Sequence, residues 1–574
     1  MAEEDDRSSV VSPFRAPQVI PPSRGPDVLV QARVADEQAF LAASGRAQVW
    51  GSGLRGVQRV LVGGEPVLES LSTSAGVCTN VLLSPARTRR ELAAQGTMWI
   101  EDTTVLPAHP CVVLQWRPQN PYSGPFTLAW DIPGAHSNIV STEGSFLEVE
   151  AKGGAPLVFF VTPEPEAWTV EGGADSVHIT VRLNLVAGEG VTLATVRDQD
   201  VKRIQSGFAA LEHLGAHEIR LSGELDEARQ SVLALESGVP ELDTGFEWSK
   251  ARLRAAPQPP TGTALLWTVL GRIATGDFAA AKDGVRALVG HTTLGWACGL
   301  YACWSGDDRI LVELETPLSD WASIVAGTAG SFAGFGVMGH LALASAHDGR
   351  RDRAAATAHR REAEALESIP HLPLPAPAKE LGGPSDDPDS IAMRLGLGPA
   401  HGTLRDPEEG YTLWGTLVTA GARQAGLWGS PMGTASDGAA LSALVPAGLL
   451  FGILGAEAQA AAGRLHLAPR FPRHVVKFRV ANIKLGTALV HVTYEKEGRR
   501  HTYRAEQSEG ATPINLVLNS RIEAVSIAAA FVDGGVADLD WKTEPGGVVS
   551  VQTQLPLDSP RTLTLEVLET GDSD

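Results

Sequence analysis

Short apolar and β-branched runs, separated by Gly, Pro and Asn, fill the first third of the chain after a proline-rich start. Residues 1–27 carry five prolines and an acidic front, which predicts an extended or disordered arm. Residues 28–197 contain strand-length runs such as PCVVLQW, APLVFFVTP and HITVRLNLVAG. Because strand follows strand with no helical pattern between them, we predict an N-terminal antiparallel β-sandwich over residues 28–197.

The spacing of apolar positions becomes helical after this region. VKRIQSGFAALEHL and LDEARQSVLALES predict a helical linker over residues 198–240. About ten to twelve helical segments follow over residues 241–463, enough for paired helical hairpins. AEAQAAAG, residues 456–463, is expected to be the last of them. A stretch rich in Pro, Gly and Asp, residues 371–409, predicts a lid or a disordered insertion. Strand patterns then return, so we predict a C-terminal β domain over residues 464–574.

The 574 residues carry 47 basic and 67 acidic side chains, a net charge of −20. A chain this acidic is a poor partner for a phosphate backbone or an anionic lipid surface, so we expect neither nucleic acid nor membrane as a partner. The N-terminus lacks the basic and apolar segments of a signal peptide, and we expect a cytoplasmic protein. Two charge-free segments, 323–347 and 439–456, are interpreted as helices buried among other helices.

Two motifs could indicate a cofactor or a metal, and neither has the context that this chemistry needs. GSGLRG, residues 51–56, matches GxGxxG, but a strand-like run follows where a helix is required. We interpret it as a turn between strands. Cys298 and Cys303 are five residues apart on a predicted helix and so would lie on different faces, unlike a metal pair. All four cysteines are expected to be buried, and no cofactor or metal is predicted.

Aromatic side chains are frequent in the helical region, where a ring at a helix end can stack on a sugar, although burial in the core is the more common role. The candidate substrate-binding residues are Trp248, Trp267, His291, Trp296, Tyr411, Trp414 and Trp428. Glycoside cleavage also needs two carboxyl groups. Asp277, Asp307 and Asp308 follow glycines and are expected to cap helices. Asp437 lies in a Gly/Ser-rich loop just before an apolar helix, where capping is again the simplest role.

Five stretches carry a family likeness by their order along the chain. They are GFEWSKARL (245–253), LWTVLGRIATGDFAAAKDGVRAL (266–288), YACWSGDDRILVEL (301–314), LVPAGLLFGILG (444–455) and GRLHLAPRFP (463–472). Together they resemble the six-hairpin glycosidases, in particular bacterial relatives of glycogen-debranching enzymes and glucoamylases. The resemblance implies a multidomain β + α fold: an N-terminal β-sandwich, an (α/α)6 toroid over residues 241–463, and a C-terminal β-sandwich domain.

The resemblance also implies where the catalytic carboxyl groups should lie. It places the general acid, an Asp, in the loop before the helix that leads into SGDD. That loop is residues 288–293 here, and it contains no Asp or Glu; its titratable residue is His291. The base is expected before the last toroid helix, where Asp437 is the candidate. Loss of a general acid lowers the rate of catalysis by about 10²–10⁴-fold. Because this loop has no such acid, we expect a degenerate catalytic site.

The leading hypothesis is a carbohydrate-binding or scaffolding protein whose partner is an oligosaccharide or polysaccharide such as an α-glucan. The alternative is an active inverting exo-glycosidase, of the glucosidase or debranching type, that acts on α-glucans with Asp437 as base. Its acid would be Glu247 or one of Asp386, Asp387 and Asp389, and the two carboxyl groups would lie about 6.5–9.5 Å apart. A third hypothesis is a structural protein whose exposed surface mediates assembly.

Overall fold

The structure is a computed structural model. It describes residues 18–19, 30–33, 39–44, 47–62, 65–83, 87–94, 96–106, 111–134, 139–150, 156–172, 176–198, 232–255, 262–326, 331–367, 388–397, 407–423, 435–544 and 547–568. The chain divides into two compact units. The first contains residues 1–214 with 422–426, and the second contains residues 215–421 with 427–574.

The elements described between residues 18 and 198 of the first unit are all strands. They are β1 Gln18–Val19, β2 Val30–Arg33, β3 Ala39–Ser44, β4 Ala47–Ser52, β5 Gly56–Val62, β6 Glu65–Thr73, β7 Val77–Leu83, β8 Arg87–Ala94, β9 Thr97–Val105, β10 Cys111–Pro118, β11 Gly124–Pro133, β12 Ile139–Glu143, β13 Phe146–Glu150, β14 Pro156–Thr162, β15 Ala167–Gly172, β16 Ser176–Leu185 and β17 Val191–Arg197. Strand β1 lies within the predicted arm and pairs with β2; the rest of residues 1–27 lie outside the described part.

These strands form two antiparallel sheets that share a core. The ten-stranded sheet has the order β1-β2-β7-β8-β9-β10-β17-β14-β13-β12, and the seven-stranded sheet has the order β15-β16-β11-β6-β5-β4-β3. Trp116 of the first sheet lies 6.1 Å from Phe126 of the second, and Phe159 of the first lies 5.2 Å from Trp130 of the second, measured between ring centroids. Two antiparallel sheets that pack together are in keeping with the predicted β-sandwich, and its bounds at residues 28–197 stay a prediction.

The GxGxxG motif is the turn of a β-hairpin, as expected, because β4 ends at Ser52 and β5 begins at Gly56. Gly56 has φ 77°, which favours glycine, and the guanidinium of Arg90 fills the space beside it. Arg90 donates to the Gly53 carbonyl at 3.0 Å and to both oxygens of Glu101 at 2.7 and 2.6 Å. The turn therefore packs against a buried ion pair, and strand β5 follows it instead of a helix.

Helices make up most of the described second unit before its C-terminal sheets. The described ones are α1 Pro240–Ala255, α2 Thr263–Thr275, α3 Phe278–Ala287, α4 Leu294–Ser305, α5 Arg309–Glu313, α6 Glu315–Ala326, α7 Ser331–Gly349, α8 Arg353–Glu367, α9 Pro388–Arg394, α10 Pro407–Arg423 and α11 Ala435–Ala447. A π-helix, Gly448–Ile453, continues α11, and a 3-10 turn follows at Ala460–Ala462.

Small residues let these helices approach closely. A Cβ on Gly271 of α2 would lie 2.6 Å from the Cβ of Ala443 on α11, and one on Gly299 of α4 would lie 2.7 Å from the Cβ of Ala342 on α7. The two charge-free segments thus carry glycine and alanine because helices meet there, as predicted. No helix in the described residues is long and apolar enough to cross a bilayer.

Two helical predictions are wrong locally. Ala234–Glu236, predicted to belong to a helical linker, is strand β18, which pairs with β21 (Lys477–Leu485). Residues 199–231 of that linker lie outside the described part. Glu457–Gln459, predicted to be helical, is strand β19, which pairs with β20 (Arg464–Leu467). A three-residue strand is too short to show a period, and its partner strand decides its conformation.

The smaller predictions have mixed outcomes. Asp277 caps α3, because its side chain accepts from the Ala280 N–H at 3.2 Å. Asp308 stands at the N-cap position of α5 but makes no capping hydrogen bond, since its carboxylate faces Arg350 at 3.3 Å. Asp307 accepts from Lys282 at 2.7 Å, which with further hydrogen bonds holds the pKa of that carboxyl below its ordinary value. All four cysteines are buried and free, as expected.

The second unit ends in two packed sheets. Their remaining strands are β22 Ala488–Glu497, β23 Arg500–Glu509, β24 Asn515–Glu523, β25 Ser526–Val532, β26 Gly535–Val536, β27 Trp541–Glu544, β28 Val548–Pro556 and β29 Arg561–Leu568. The sheet orders are β18-β21-β22-β23-β29-β25-β26 and β19-β20-β24-β28-β27, and among the described strands β20 and β24 form the one parallel pair. Ser520 donates to the Tyr503 hydroxyl across the two sheets at 2.8 Å. Helices and sheets share one hydrophobic core.

Candidate functional site

The helices α2, α4, α7 and α11 point in one direction relative to the C-terminal sheets. The ammonium of Lys484 on β21 donates to the Gly276 carbonyl, just after α2, at 3.1 Å. The Gly486 N–H donates to the Trp304 carbonyl at the end of α4 at 2.8 Å. Helix α7 ends beside the 3-10 turn, and α11 leads directly into β19. The C-terminal ends of these four helices therefore meet the sheets, and their N-terminal ends lie together on the far side.

Three aromatic rings from different helices meet near these N-terminal ends. Trp267 of α2 lies 6.1 Å from Trp296 of α4 and 6.5 Å from Phe335 of α7, and Trp296 lies 5.9 Å from Phe335. Their exposed fractions are 0%, 5% and 4%. Trp267 and Trp296, both predicted candidates for sugar contact, are thus brought together, but as a buried platform rather than as free stacking faces.

Asp389 is fixed against this platform by two hydrogen bonds. The indole N–H of Trp267 donates to its Oδ1 at 2.6 Å, and the hydroxyl of Thr263 donates to its Oδ2 at 2.9 Å. Asp389 belongs to the short helix α9, inside the stretch that the sequence predicts as a lid or insertion, and it is half-buried. Each carboxylate oxygen can accept a further hydrogen bond, so the group is oriented without being saturated.

His291 lies in the loop before α4, within electrostatic range of Asp389. Its Nδ1 is 2.8 Å from the hydroxyl of Thr293. Burial lowers the pKa of His291, and the nearby charge of Asp389 acts in the opposite direction. The next residue, Thr292, has a buried hydroxyl with no hydrogen-bond partner among the described residues. Its carbonyl accepts from the Trp321 indole N–H at 2.7 Å, which ties the loop to α6.

Asp437 belongs to the same end of the helices. The sequence suggests that it precedes its helix, but α11 begins at Ala435, so Asp437 lies in the first turn. A carboxylate in a first helical turn is favoured by the helix dipole. The side chain of Asp437 and the whole of Trp428 lie outside the described part of the chain, as do Asp386 and Asp387.

Glu247 lies elsewhere. Its carboxylate is 2.8 Å from the ammonium of Lys250, and Lys250 also donates to the carbonyl of Leu233 at 2.6 Å, next to β18. Both side chains are largely buried. Its neighbour Trp248 is buried in the core, and the indole N–H has no partner among the described residues. The structure therefore places Glu247 in an ion pair near the C-terminal sheets, not with Asp389.

Tyr411 and Trp414 of α10 also lie toward the C-terminal sheets. The Tyr411 ring is 6.3 Å from Phe478 of β21 and 5.5 Å from His474, and burial raises the pKa of its hydroxyl to about 12. The Trp414 indole N–H donates to the Val445 carbonyl at 2.9 Å. Both side chains are core residues that attach α10 to the β domain. The predicted aromatic set is therefore split between the two ends of the helices.

Sequence reasoning did not identify Thr263 or Phe335. A signal for Thr263 exists, because Thr263 and Trp267 are four residues apart and so share a helix face. No comparable local signal marks Phe335, which reaches the platform through the packing of α7 on α4. No group of three or more His, Cys, Asp or Glu side chains in the described ranges could hold a metal ion.

Comparisons with known proteins support the fold. No family model and no curated protein sequence matches the chain. A solved structure of a putative kojibiose phosphorylase from the human microbiome superposes with a TM-score of 0.51 at 9% identity, covering 92% of this chain and 98% of that one. An inverting mannosidase of family GH92 from Bacteroides thetaiotaomicron gives 0.44 at 10% identity, over 91% and 90%. A bacterial glucoamylase bound to acarbose gives 0.42 at 8% identity, over 61% and 69%.

The likeness to the first of these structures extends over 92% of this chain and 98% of that one, so it includes β and α regions alike. At 9% identity it bears on the fold and leaves the chemistry of the site to the residues themselves. The resemblance that the sequence indicates is confirmed at this level: the chain has a six-hairpin-glycosidase-like fold.

Proposed function

We propose that this protein binds an oligosaccharide or polysaccharide at the N-terminal ends of α2, α4 and α7 and does not hydrolyse it. The observation that carries the proposal is the oriented carboxylate of Asp389, held by Trp267 and Thr263 beside His291. A carboxylate, an imidazole and hydroxyl groups next to buried rings offer the acceptors and donors that sugar hydroxyls require.

The same geometry argues against ordinary glycosidase chemistry. The loop of residues 288–293 has His291 where the resemblance implies an acid, and burial lowers the pKa of His291, which favours the neutral ring at pH 7. Glu247, a predicted candidate acid, is paired with Lys250 near the other ends of the helices. A general acid needs a proton to give at the operating pH, and neither group is suited to supply one.

One observation favours the alternative, an active inverting exo-glycosidase on an α-glucan. Asp437 lies in the first turn of α11, at the same end as Asp389. Two carboxyl groups at one end could act as acid and base if they face each other at the separation that an intervening water requires, about 6.5–9.5 Å. In that case Asp389 is the acid that the loop of residues 288–293 lacks.

Calorimetry would measure binding of maltooligosaccharides, glycogen and β-glucans to the wild type and to Asp389→Asn. The asparagine keeps an acceptor for Trp267 and a donor for Thr263 while removing the charge. We expect the wild type to bind at least one of these ligands and Asp389→Asn to bind it about tenfold more weakly, the value of a hydrogen bond to a charged group. Glu408→Gln, which changes an exposed carboxylate beside His474 at the other end, is the matched control and should bind as the wild type does.

Product release would be measured on the same panel, with kojibiose and inorganic phosphate added because a similar fold belongs to a putative kojibiose phosphorylase. We expect no hydrolysis and no phosphorolysis. Turnover that is abolished by Asp437→Asn or Asp389→Asn would make the protein an enzyme and contradict the proposal. If the wild type binds none of the carbohydrates tested, both carbohydrate hypotheses are contradicted.

A further inference from the structure

Three histidines from two adjacent helices form a cluster that the candidate site does not use. His340 and His347 lie on one face of α7, seven residues apart, and His359 lies opposite them on α8. The Nδ1 atoms of His340 and His359 are 2.9 Å apart. The rings of His347 and His359 stack with their centroids 5.4 Å apart. The exposed fraction of His340 is 2%, so the pair is closed to water on that side.

The contact between the two Nδ1 atoms requires that the pair not be doubly protonated. A hydrogen bond between two imidazole nitrogens contains one proton, so one ring donates and the other accepts. If both Nδ1 atoms carry protons, two donors face each other at 2.9 Å and the contact becomes repulsive. Burial acts in the same direction, because it lowers the pKa of both His340 and His359 to about 4.

The charged groups around the cluster lie mostly at its edge. They are Asp348, Arg350 and Asp352 at the end of α7 and in the following turn, Arg360 and Glu362 on α8, and Asp320 on α6, whose side chain is exposed. Asp352 is 3.5 Å from the Nδ1 of His347, Arg360 pairs with Asp348, and Arg350 pairs with Asp308. Helix α4 contacts α7 through Gly299 and Cys303. None of these groups contacts His340, which faces the Trp321 ring at 4.8 Å.

Trp321 connects the cluster to the candidate site. Its ring covers His340, and its indole N–H donates to the Thr292 carbonyl in the loop that carries His291. Glycines at 295 and 339 leave room for this indole, since a Cβ at either position would lie within 2.5 Å of the ring. A change in the position of His340 must therefore move Trp321 or break its contact, and Trp321 is a direct support of the loop.

We propose that His340, His347 and His359 form an acid-sensitive latch that joins α7 to α8 and, through Trp321, holds the loop of residues 288–293 in place. At neutral pH the three rings are uncharged and the latch is closed. Protonation of both His340 and His359 removes the hydrogen bond between the helices, because each Nδ1 is then a donor, and it places positive charges side by side in a buried site. The latch then opens, α8 separates from α7, and the loop loses its support. This goes beyond the proposed function and requires no carbohydrate.

The sign of the pH effect follows from linkage. Both buried rings bind a proton more weakly in the folded protein than in the open state, where the ordinary value is near 6.5. The stabilisation is therefore complete above pH 6.5 and is lost as the pH falls from 6.5 toward 4. Between pH 7 and pH 5 the population of the open form should rise by about tenfold or more.

Hydrogen exchange of the full chain, followed by mass spectrometry and corrected for the intrinsic pH dependence, would measure this opening over residues 331–367. We expect the wild type to lose about tenfold or more of its protection there between pH 7 and pH 5. His359→Asn places an amide near the Nδ1 position without a titrating ring, and its loss should be at least about threefold smaller. His474→Asn, which changes an exposed histidine of the same unit, should behave as the wild type.

A second measurement, made on the wild type alone, tests the latch even if His359→Asn does not fold. Nitrogen NMR of the wild type labelled at histidine would report the tautomers and titrations directly. We expect one Nδ1–H tautomer in the pair and no protonation of either ring above pH 5. Rings of His340 and His359 that titrate near pH 6.5, or equal loss of protection in wild type and His359→Asn, would overturn the latch. Neither result would bear on carbohydrate binding.

Discussion

The two ends of the helices in the second unit differ in how their polar groups are satisfied. At the C-terminal ends, the β domain supplies the partners: Lys484 and Gly486 satisfy helix carbonyls, and Tyr411 and Trp414 fill the contact with β21. At the N-terminal ends, the partners come from short connecting segments, with Asp389 on the seven-residue helix α9. Polar groups there are oriented by a few hydrogen bonds instead of being buried under a domain.

This difference separates predicted residues that could bind a ligand from those that hold the fold together. Glu247 and Asp389 are both carboxylates of the helical region, but Glu247 has a buried ammonium as its partner, whereas Asp389 has two neutral donors and keeps its charge available. A charge that is paired in the core is costly to leave without its partner, whereas an oriented group with no counter-ion among the described residues is a better candidate for ligand recognition. Substitutions at the two ends should therefore affect different properties.

The largest effect on stability is expected at the end covered by the β domain. Trp304→Ala removes a fully buried ring that lies 5.6 Å from Phe451, and it should lower the free energy of unfolding by about 3–5 kcal/mol. Urea titration at neutral pH, followed by circular dichroism of the helices, would measure the change. A decrease of less than about 1 kcal/mol in the free energy of unfolding would mean that packing at this end of the helices contributes little to stability.

The ion pair of Glu247 gives a somewhat smaller effect. Lys250→Met leaves the largely buried carboxylate without its ammonium, and we expect a loss of about 2–3 kcal/mol in the free energy of unfolding. Glu247→Gln with Lys250→Met should recover part of the loss, because the unpaired charge is then gone. Thermal unfolding of the two variants would test this, and identical melting temperatures for both would argue against a structural ion pair.

A cap at the same end should have an intermediate effect. Asp277→Ala removes the side chain that accepts from the Ala280 N–H at the start of α3, which should lower the free energy of unfolding by about 1 kcal/mol. Asp277→Asn keeps an acceptor and is the matched control. If Asp277→Asn unfolds at a lower urea concentration than Asp277→Ala, the capping role is contradicted.

The smallest effect on stability is expected at the candidate site. Asp389→Asn retains a partner for both Trp267 and Thr263, so the free energy of unfolding should change by less than about 1 kcal/mol while carbohydrate binding weakens. The free energy of unfolding should therefore change far less in Asp389→Asn than in Trp304→Ala. A large loss of stability in Asp389→Asn would identify this carboxylate as a structural link between α9 and α2 and remove it from the site.

Much of the fold could be predicted because the spacing of apolar residues within a segment indicates whether it forms a helix or a strand. The β, α, β order follows from a change of period, and the turn at residues 51–56 follows from the strand on either side of it. Asp277 as a cap and four buried cysteines likewise depend on nearby residues alone. The absence of Asp and Glu from residues 288–293 can also be read directly from the sequence.

Tertiary structure decided which of these residues meet. His291 and Asp389 come from segments with no shared local pattern, and the packing of α9 against α2 brings them within electrostatic range. Strands β18 and β19 exist because β21 and β20 lie beside them. The split of the predicted aromatic set between two ends depends on the β domain, which covers one end of the helices. A sequence encodes periods over a few residues, whereas the side on which a helix end is buried depends on contacts between segments far apart in the chain.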